Sequence, residues 1–375
     1  MKIKKIVFLN FIILVFLLCV NKTYGSYKLN GISNFPTSYQ PYLLELNKKY
    51  SNWSFTALYT GLDWNNVIDN ETLYGKNLVP KNYSDEWKNT TPGIYDIEVD
   101  LGWVNASKRA VEHSMDPRNF LNEVRIFGYE TLSYDINTNS KDGIEKILYG
   151  TEFYNKDVLG KKYSDLILDA AQASSVSAYH LASRIRQEVG PFLSHSSISG
   201  TVAGYEGLYN FYNIGATSSA EPMGAIKNGL QYARDGKGAT QATKDKYLIP
   251  WTDQAKAITG GAKFIGSSYI NVGQNTIYLQ KFDVNDERGN DLFWHQYMTN
   301  VLAPYSESKS IYNAYLNSNL LNTSMNFIIP VYDNMPSLQV QNPNILDSDY
   351  IADNTIVYGD IEGTLNVRTG PRNSI

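Results

Sequence analysis

The sequence has almost no cysteine. Of 375 residues only Cys19 is one, and it lies in an apolar run near the N-terminus. Elsewhere the chain offers no disulfide framework and no thiol nucleophile. Charge is also sparse, at 19% of residues, and it does not lean basic: 33 Lys and Arg face 37 Asp and Glu. Nucleic-acid binders carry a basic stripe, so that class of partner is excluded. There are four histidines, and no His/Glu or Cys/His cluster has metal-ligand spacing. No Gly-rich phosphate loop follows a strand either, so neither metal nor cofactor is expected.

Long hydrophobic runs are missing apart from Ile6 to Val20, which is too short and wrongly flanked for a membrane span. Lys2, Lys4 and Lys5 precede it and the small residues of "NKTYGS" follow. This is the pattern of a secretory signal over 1–25, with no stable membrane insertion after its removal. That segment holds four lysines and no acid, so the remainder would carry 29 basic against 37 acidic residues, a net charge of −8.

What the chain does have is apolar and aromatic material. Hydrophobic residues make up 43% and aromatics 13%, with 29 Tyr and 6 Trp. That suffices for a sizeable core and two or three domains. Tyr and Trp pair an apolar body with a polar tip, which suits carbohydrate faces as well as cores.

Along the chain, "YLLELNKKY" has helical spacing after Pro36 and Pro41, whereas 75–97 is polar, rich in Asn and Pro, and reads as loop. Helical patterns resume at "NASKRAVEHS", with Asn105 as cap, and break at Asp116-Pro117. Two successive helices are expected over 162–188, another over 252–272, and a last one at "APYSESKSIYNAYL". His113 and Glu112 read as a surface pair. From 318 the chain turns to Asn, Ser, Pro and Asp, and 318–355 reads as linker.

One stretch carries chemistry. In "AYHLASRIRQEVG", Ala178, Leu181, Ala182 and Ile185 form one apolar stripe. Glu188 is three residues beyond Ile185 and so extends that stripe, at the helix end where the dipole is negative. Both placements disfavour an ionised carboxylate and favour one that donates a proton. Gly190 then lets the chain turn and leaves the carboxyl at a cleft edge. The competing reading is a frayed helix end with a solvated glutamate. The following "PFLSHSSISGTVAGYEGLYNFYNIGAT", rich in Gly, Ser and aromatics, suggests a small β-lobe or ordered loop over the cleft.

Five separated blocks give a family resemblance: "AYHLASRIRQEVG", "YNFYNIGA", "GAIKNGLQYARD", "WTDQAKAITGGAKFIGSSYINVGQNTIYLQKF" and "HQYMTNV". They resemble the bacterial autolysin endo-β-N-acetylglucosaminidases of glycoside hydrolase family 73, across roughly 100–317. The upstream "SMDPRNFLNEVRIF" is similar to the lead-in helix of those enzymes. Residues 27–97 resemble the N-terminal extension of some clostridial members. The resemblance implies an α+β, mainly α, lysozyme-like catalytic domain over 98–317, with a small β-lobe and an N-terminal extension over 26–97. It also implies cleavage of the β-1,4 bond between N-acetylglucosamine and N-acetylmuramic acid in peptidoglycan glycan strands, by a secreted, wall-associated monomer.

Carried over residue by residue, the general acid is Glu188, and the "NxFG"-type motif falls on "NFYNIG", placing Tyr212 and Asn213 beside the cleaved sugar. Asn213 stands where the family has Gly, a departure that leaves the local backbone open. Glycosidases usually need two carboxylates. Glu221 and Asp235 match no clear position, and Glu206 in "GYEGLY" is the remaining candidate. The substrate's own 2-acetamido oxygen, with Tyr212 steadying the charged centre, is the alternative. Trp251 either stacks on a sugar or packs into the core. Gln274 and Asn275 are candidates for sugar hydroxyls, and Tyr269 reads as core. The tail "GTLNVRTGP", within 356–375, looks like the start of a bacterial SH3-like domain. A lytic transglycosylase and a non-catalytic wall-binding protein remain as rival readings.

Overall fold

The computed structural model describes residues 26–28 and 31–344, except 94–96, 218–219, 288 and 290. The expected export signal and the SH3-like segment lie outside the described residues. A three-stranded sheet joins the two ends of the described chain. Strands β1 (Ser26–Lys28) and β2 (Trp53–Asp63) pair antiparallel. A second sheet has the order β3-β5-β4, from β3 (Leu78–Pro80), β4 (Glu98–Asp100) and β5 (Trp103–Asn105). A short hairpin follows, from β6 (Asp157–Val158) and β7 (Lys161–Lys162). The last strand, β8 (Met325–Asp333), returns to lie parallel to β2, with Trp53 opposite Met325 and Tyr59 opposite Val331.

Strand β8 corrects the expectation of a linker over 318–355 for its described part, and 345–355 lie outside the described residues. "FIIPVY" is an apolar run whose residues are all buried. Its edge position lets Pro330 sit in a strand without an N–H to donate. Residues 26–97 are likewise not a separate appendage. Trp53 stacks on Tyr50 at 4.0 Å and meets Phe127 and Phe327 at 5.7 and 5.0 Å. One continuous core runs from Phe35 to Tyr332. The 75–97 loop itself contains β3 and is tied by Leu78 N–H to the Thr299 carbonyl, 2.9 Å.

The helices follow their apolar stripes and caps. They are α1 (Gln40–Lys49) and α2 (Trp64–Glu71), then α3 (Lys108–Met115) and α4 (Lys141–Leu148). The cap of α3 is Ser107, which accepts from Ala110 N–H, rather than Asn105, whose side chain accepts from Gly75 N–H in the loop. His113 is no surface partner of Glu112: its Nδ1 lies 3.0 Å from the Val340 carbonyl and its ring meets Trp87 edge-on. Helices α5 (Tyr163–Ser174) and α6 (Ala178–Val189) pack together as expected. Beyond them come α7 (Gly224–Asp235), α8 (Gln241–Lys246), α9 (Gln254–Ser268), α10 (Ile277–Phe282) and α11 (Ala303–Asn317).

Residues 191–217 contain no strand. They form the ordered loop rather than the β-lobe. Positive φ at Gly200, Gly204, Gly207, Asn213 and Gly215 turns the chain too often for extended pairing.

Candidate active site

Helix α6 positions the first group. Its cap, Ser177, accepts from His180 N–H, and Ala178, Leu181, Ala182 and Ile185 are wholly buried. Val189 is buried as well, and Gly190 ends the helix at φ 68°. Glu188 does not continue into the core as the stripe suggested. A helix turns 100° per residue, so Glu188 falls about 60° off Ile185 and comes to the rim, its side chain 23% exposed. There Arg184 Nη2 pairs with its Oε1 at 2.9 Å. Asn213 Nδ2 donates to the Glu188 carbonyl at 2.8 Å and lies 3.4 Å from Oε2. Both carboxylate oxygens therefore have neighbours that fix their direction.

Asn213 resolves the departure from the family motif. Its φ is 50°, in the left-handed region that glycine enters freely and asparagine tolerates better than other side chains. Asparagine can hold this backbone as glycine would, and its amide supplies a tether that glycine lacks.

Tyr212 is placed by a glycine on another helix. A Cβ on Gly261 of α9 would lie 2.3 Å from Tyr212 Cδ2, so the ring sits directly on the helix backbone. The adjacent Gly260 does the same for Trp251: a Cβ there would meet its Nε1 at 2.4 Å. Tyr212 is 3% exposed and its hydroxyl is buried without a hydrogen-bond partner. Burial pushes that hydroxyl far up from its ordinary value, with the Arg184 charge pulling the other way. The hydroxyl is closed to solvent, so Tyr212 forms the floor of the site rather than a surface that steadies a sugar.

Three expected site residues do not join this group. Trp251 is fully buried, donating from Nε1 to the Tyr247 carbonyl at 2.8 Å, and has no face open to a glycan. Gln274 is also fully buried. Its amide donates to the carbonyls of Leu279 (3.1 Å) and His295 (2.8 Å), and its oxygen meets His295 Nδ1 at 2.6 Å. Glu206 is exposed on a turn, where backbone N–H groups, including that of Gly204 at 3.1 Å, hold its carboxyl below the usual range. Among the described residues no bond joins it to Glu188, Arg184 or Asn213.

Sequence reasoning missed Arg184, Tyr297 and Glu307. Arg184 lies outside the apolar stripe, yet its charge bears on Glu188, Tyr212 and Glu307 together. Glu307, on α11, accepts from the Tyr297 hydroxyl at 2.6 Å. Burial raises the Glu307 carboxyl, opposed by the Tyr297 bond and by Arg184. The available signal was "HQYMTNV", which contains Tyr297. The arrangement presents one rim carboxylate held in a fixed direction, an aromatic floor and a half-buried Tyr–Glu pair nearby. Among the described residues no group of three or more His, Cys, Asp or Glu has the arrangement of a metal site.

No family model matches the chain. Among curated proteins it is 29% identical over 239 residues to a Beta-N-acetylglucosaminidase of Bacillus subtilis, covering 63% of this chain and 23% of that protein. It is 28% identical over 210 residues to a Bifunctional autolysin of Staphylococcus epidermidis, covering 54% of this chain and 14% of the relative. The chain thus spans less than a quarter of the length of these relatives. Among solved structures, a Major Bifunctional Autolysin aligns with TM-score 0.50 at 24% identity, over 74% of this chain and 98% of that one. S. aureus glucosaminidase B aligns with TM-score 0.51 at 22% identity, over 75% and 94%. The chain has the mixed α+β, lysozyme-like fold of these structures, and its sequence is similar to that of the glucosaminidase autolysins.

Proposed function

We propose that the chain is an exported, wall-associated peptidoglycan hydrolase that cleaves the β-1,4 bond between N-acetylglucosamine and N-acetylmuramic acid, with Glu188 as general acid and then base. The observation that carries this reading is the Glu188 carboxyl at the C-terminal end of α6, held between Arg184 and Asn213, in a chain similar in sequence to a Beta-N-acetylglucosaminidase. Glu188 gives its proton to the glycosidic oxygen, and the muramic acid leaves as an alcohol. The acetamido oxygen of the glucosamine attacks the anomeric carbon from the other face. Glu188 then takes a proton from water, which opens the cyclic intermediate to a reducing glucosamine end.

Substrate assistance is favoured over a second carboxylate because Glu206 is an exposed turn residue with no bond to this cluster. Export rests on the N-terminal sequence pattern. No described helix is long and apolar enough to cross a membrane.

The test is mass spectrometry of borohydride-reduced fragments released from purified peptidoglycan by wild type and Glu188→Gln. Reduced glucosamine ends from wild type, at least a hundredfold fewer from the variant, are expected for loss of a general acid. Anhydromuramic ends would make the protein a lytic transglycosylase. Wall binding without any release would make it a binding protein.

A further inference from the structure

A pocket apart from the Glu188 cluster lies along α11. Its volume is about 620 Å³, and its walls include Tyr83 and Trp87 from the N-terminal region, Arg125, Tyr305 and Lys309 from α11, and Asn342. At 100° per residue, Tyr305 and Lys309 share one face of the helix. Glu307, midway between them, points about 200° from Tyr305, toward Tyr297 and the Arg184 charge. The two sites therefore share α11 but no residue.

The lining is chemically one-sided. It holds two cations and no carboxylate, in a chain of net charge −4. Among the described residues neither Arg125 nor Lys309 has an ion-pair partner. Lys309 is exposed. The Arg125 guanidinium carbon lies over the Tyr305 ring, 3.5 Å from its centroid, and Nη1 donates to the Tyr305 carbonyl. That leaves the Nε–Nη2 edge, the fork that matches two oxygens of a carboxylate or phosphate. Opposite stands an aromatic corner: Tyr83, 37% exposed, meets Trp87 edge-on at 5.7 Å. Exposed aromatic rings present an apolar face to sugar C–H groups. Asn342, whose Oδ1 accepts from Asn344 N–H at 3.0 Å, has its amide nitrogen left for a hydroxyl.

We infer that this pocket binds an anionic saccharide, its acid group on the Arg125 fork beside Lys309 and its ring against Tyr83. The site gives residues 83–87 a binding role and does not depend on the reading of Glu188.

The experiment uses full-length Glu188→Gln protein labelled with 5-fluorotryptophan, so that no ligand is turned over. The Trp87 fluorine resonance is assigned by its loss in Trp87→Phe. Three probes are titrated: the GlcNAc–MurNAc disaccharide with its free carboxylate, N-acetylglucosamine 6-phosphate, and neutral diacetylchitobiose. The Trp87 signal moves with one or both anionic sugars, and which of them moves it at lower concentration names the acid group. Lys309→Glu, an exposed change, weakens that response about fivefold or more, the scale of one surface charge interaction. A Trp87 signal unmoved by either anionic sugar overturns the inference. So does an equal response to diacetylchitobiose or an unchanged affinity in Lys309→Glu.

Discussion

Glu130 offers a quantitative test of the packing behind the site. It is 6% exposed and lines a cavity of about 640 Å³ beside His180 and Arg186 of α6. Burial raises its carboxyl from 4.5 to about 8, against the opposing hydrogen bond from the Tyr315 hydroxyl at 2.7 Å. The folded protein thus holds a proton on Glu130 between those values, where the unfolded chain has released it. Stability from this group is fully present below pH 4.5 and is lost as pH rises through 8. The slope is roughly 1.4 kcal/mol per pH unit, or about 4 kcal/mol between pH 5 and 8. That is a ceiling, because water entering the cavity would lessen the burial cost.

Glu130→Gln keeps an oxygen to accept from Tyr315 and removes the titration. Any fixed packing cost of the amide cancels when each protein is compared with itself across pH. Urea unfolding of both proteins at pH 5, 6, 7 and 8 supplies the cycle. The variant should gain on wild type with each unit, by up to about 4 kcal/mol in total. A difference that stays constant within about 0.5 kcal/mol, below the scale of a coupled effect, would refute a protonated, buried Glu130.

Four further variants test the site and the packing beneath it. Asn213→Gly keeps the left-handed backbone and loses the tether to Glu188, so fragment release should drop about tenfold with little change in melting temperature. Asn213→Ala adds about 1 kcal/mol of backbone strain to the same loss, measurable as lower urea stability. Tyr212→Phe removes an unpartnered buried hydroxyl and should leave stability equal or higher, with release rates within about twofold. Trp251→Ala should cost about 3–5 kcal/mol in unfolding, because the side chain is wholly buried. A variant that kept its stability but lost glycan affinity would restore the stacking role that its burial excludes.

The sequence was most legible where the determinants are local. The apolar stripe of α6 and its end at Gly190 follow from residues within one helix. Even there, a spacing of three rather than four put Glu188 at the rim, where it meets Arg184 instead of the core. Strand β8 was illegible for a different reason. Its partner, β2, lies about 270 residues away in the register Trp53–Met325, and the flanking Asn, Ser and Pro residues read as linker. Pro330 counts against a central strand, but the edge position that permits it is a property of the assembled sheet.

Gly260 and Gly261 show why site residues were harder to sort than the fold. Within a helix, two glycines look only like a loss of about 1 kcal/mol each. Their use becomes visible once Trp251 and Tyr212 are in place, because a Cβ at either position would collide with a ring. These glycines let Trp251 sink fully into the core, which removes it as a sugar contact. They also let the Tyr212 ring come against α9, next in the chain to Asn213, whose amide reaches Glu188. A pair of absent side chains on α9 thus helps set the direction of a carboxylate on α6. Gly261→Ala would lift the Tyr212 floor, and through Asn213 it would disturb Glu188 without touching it.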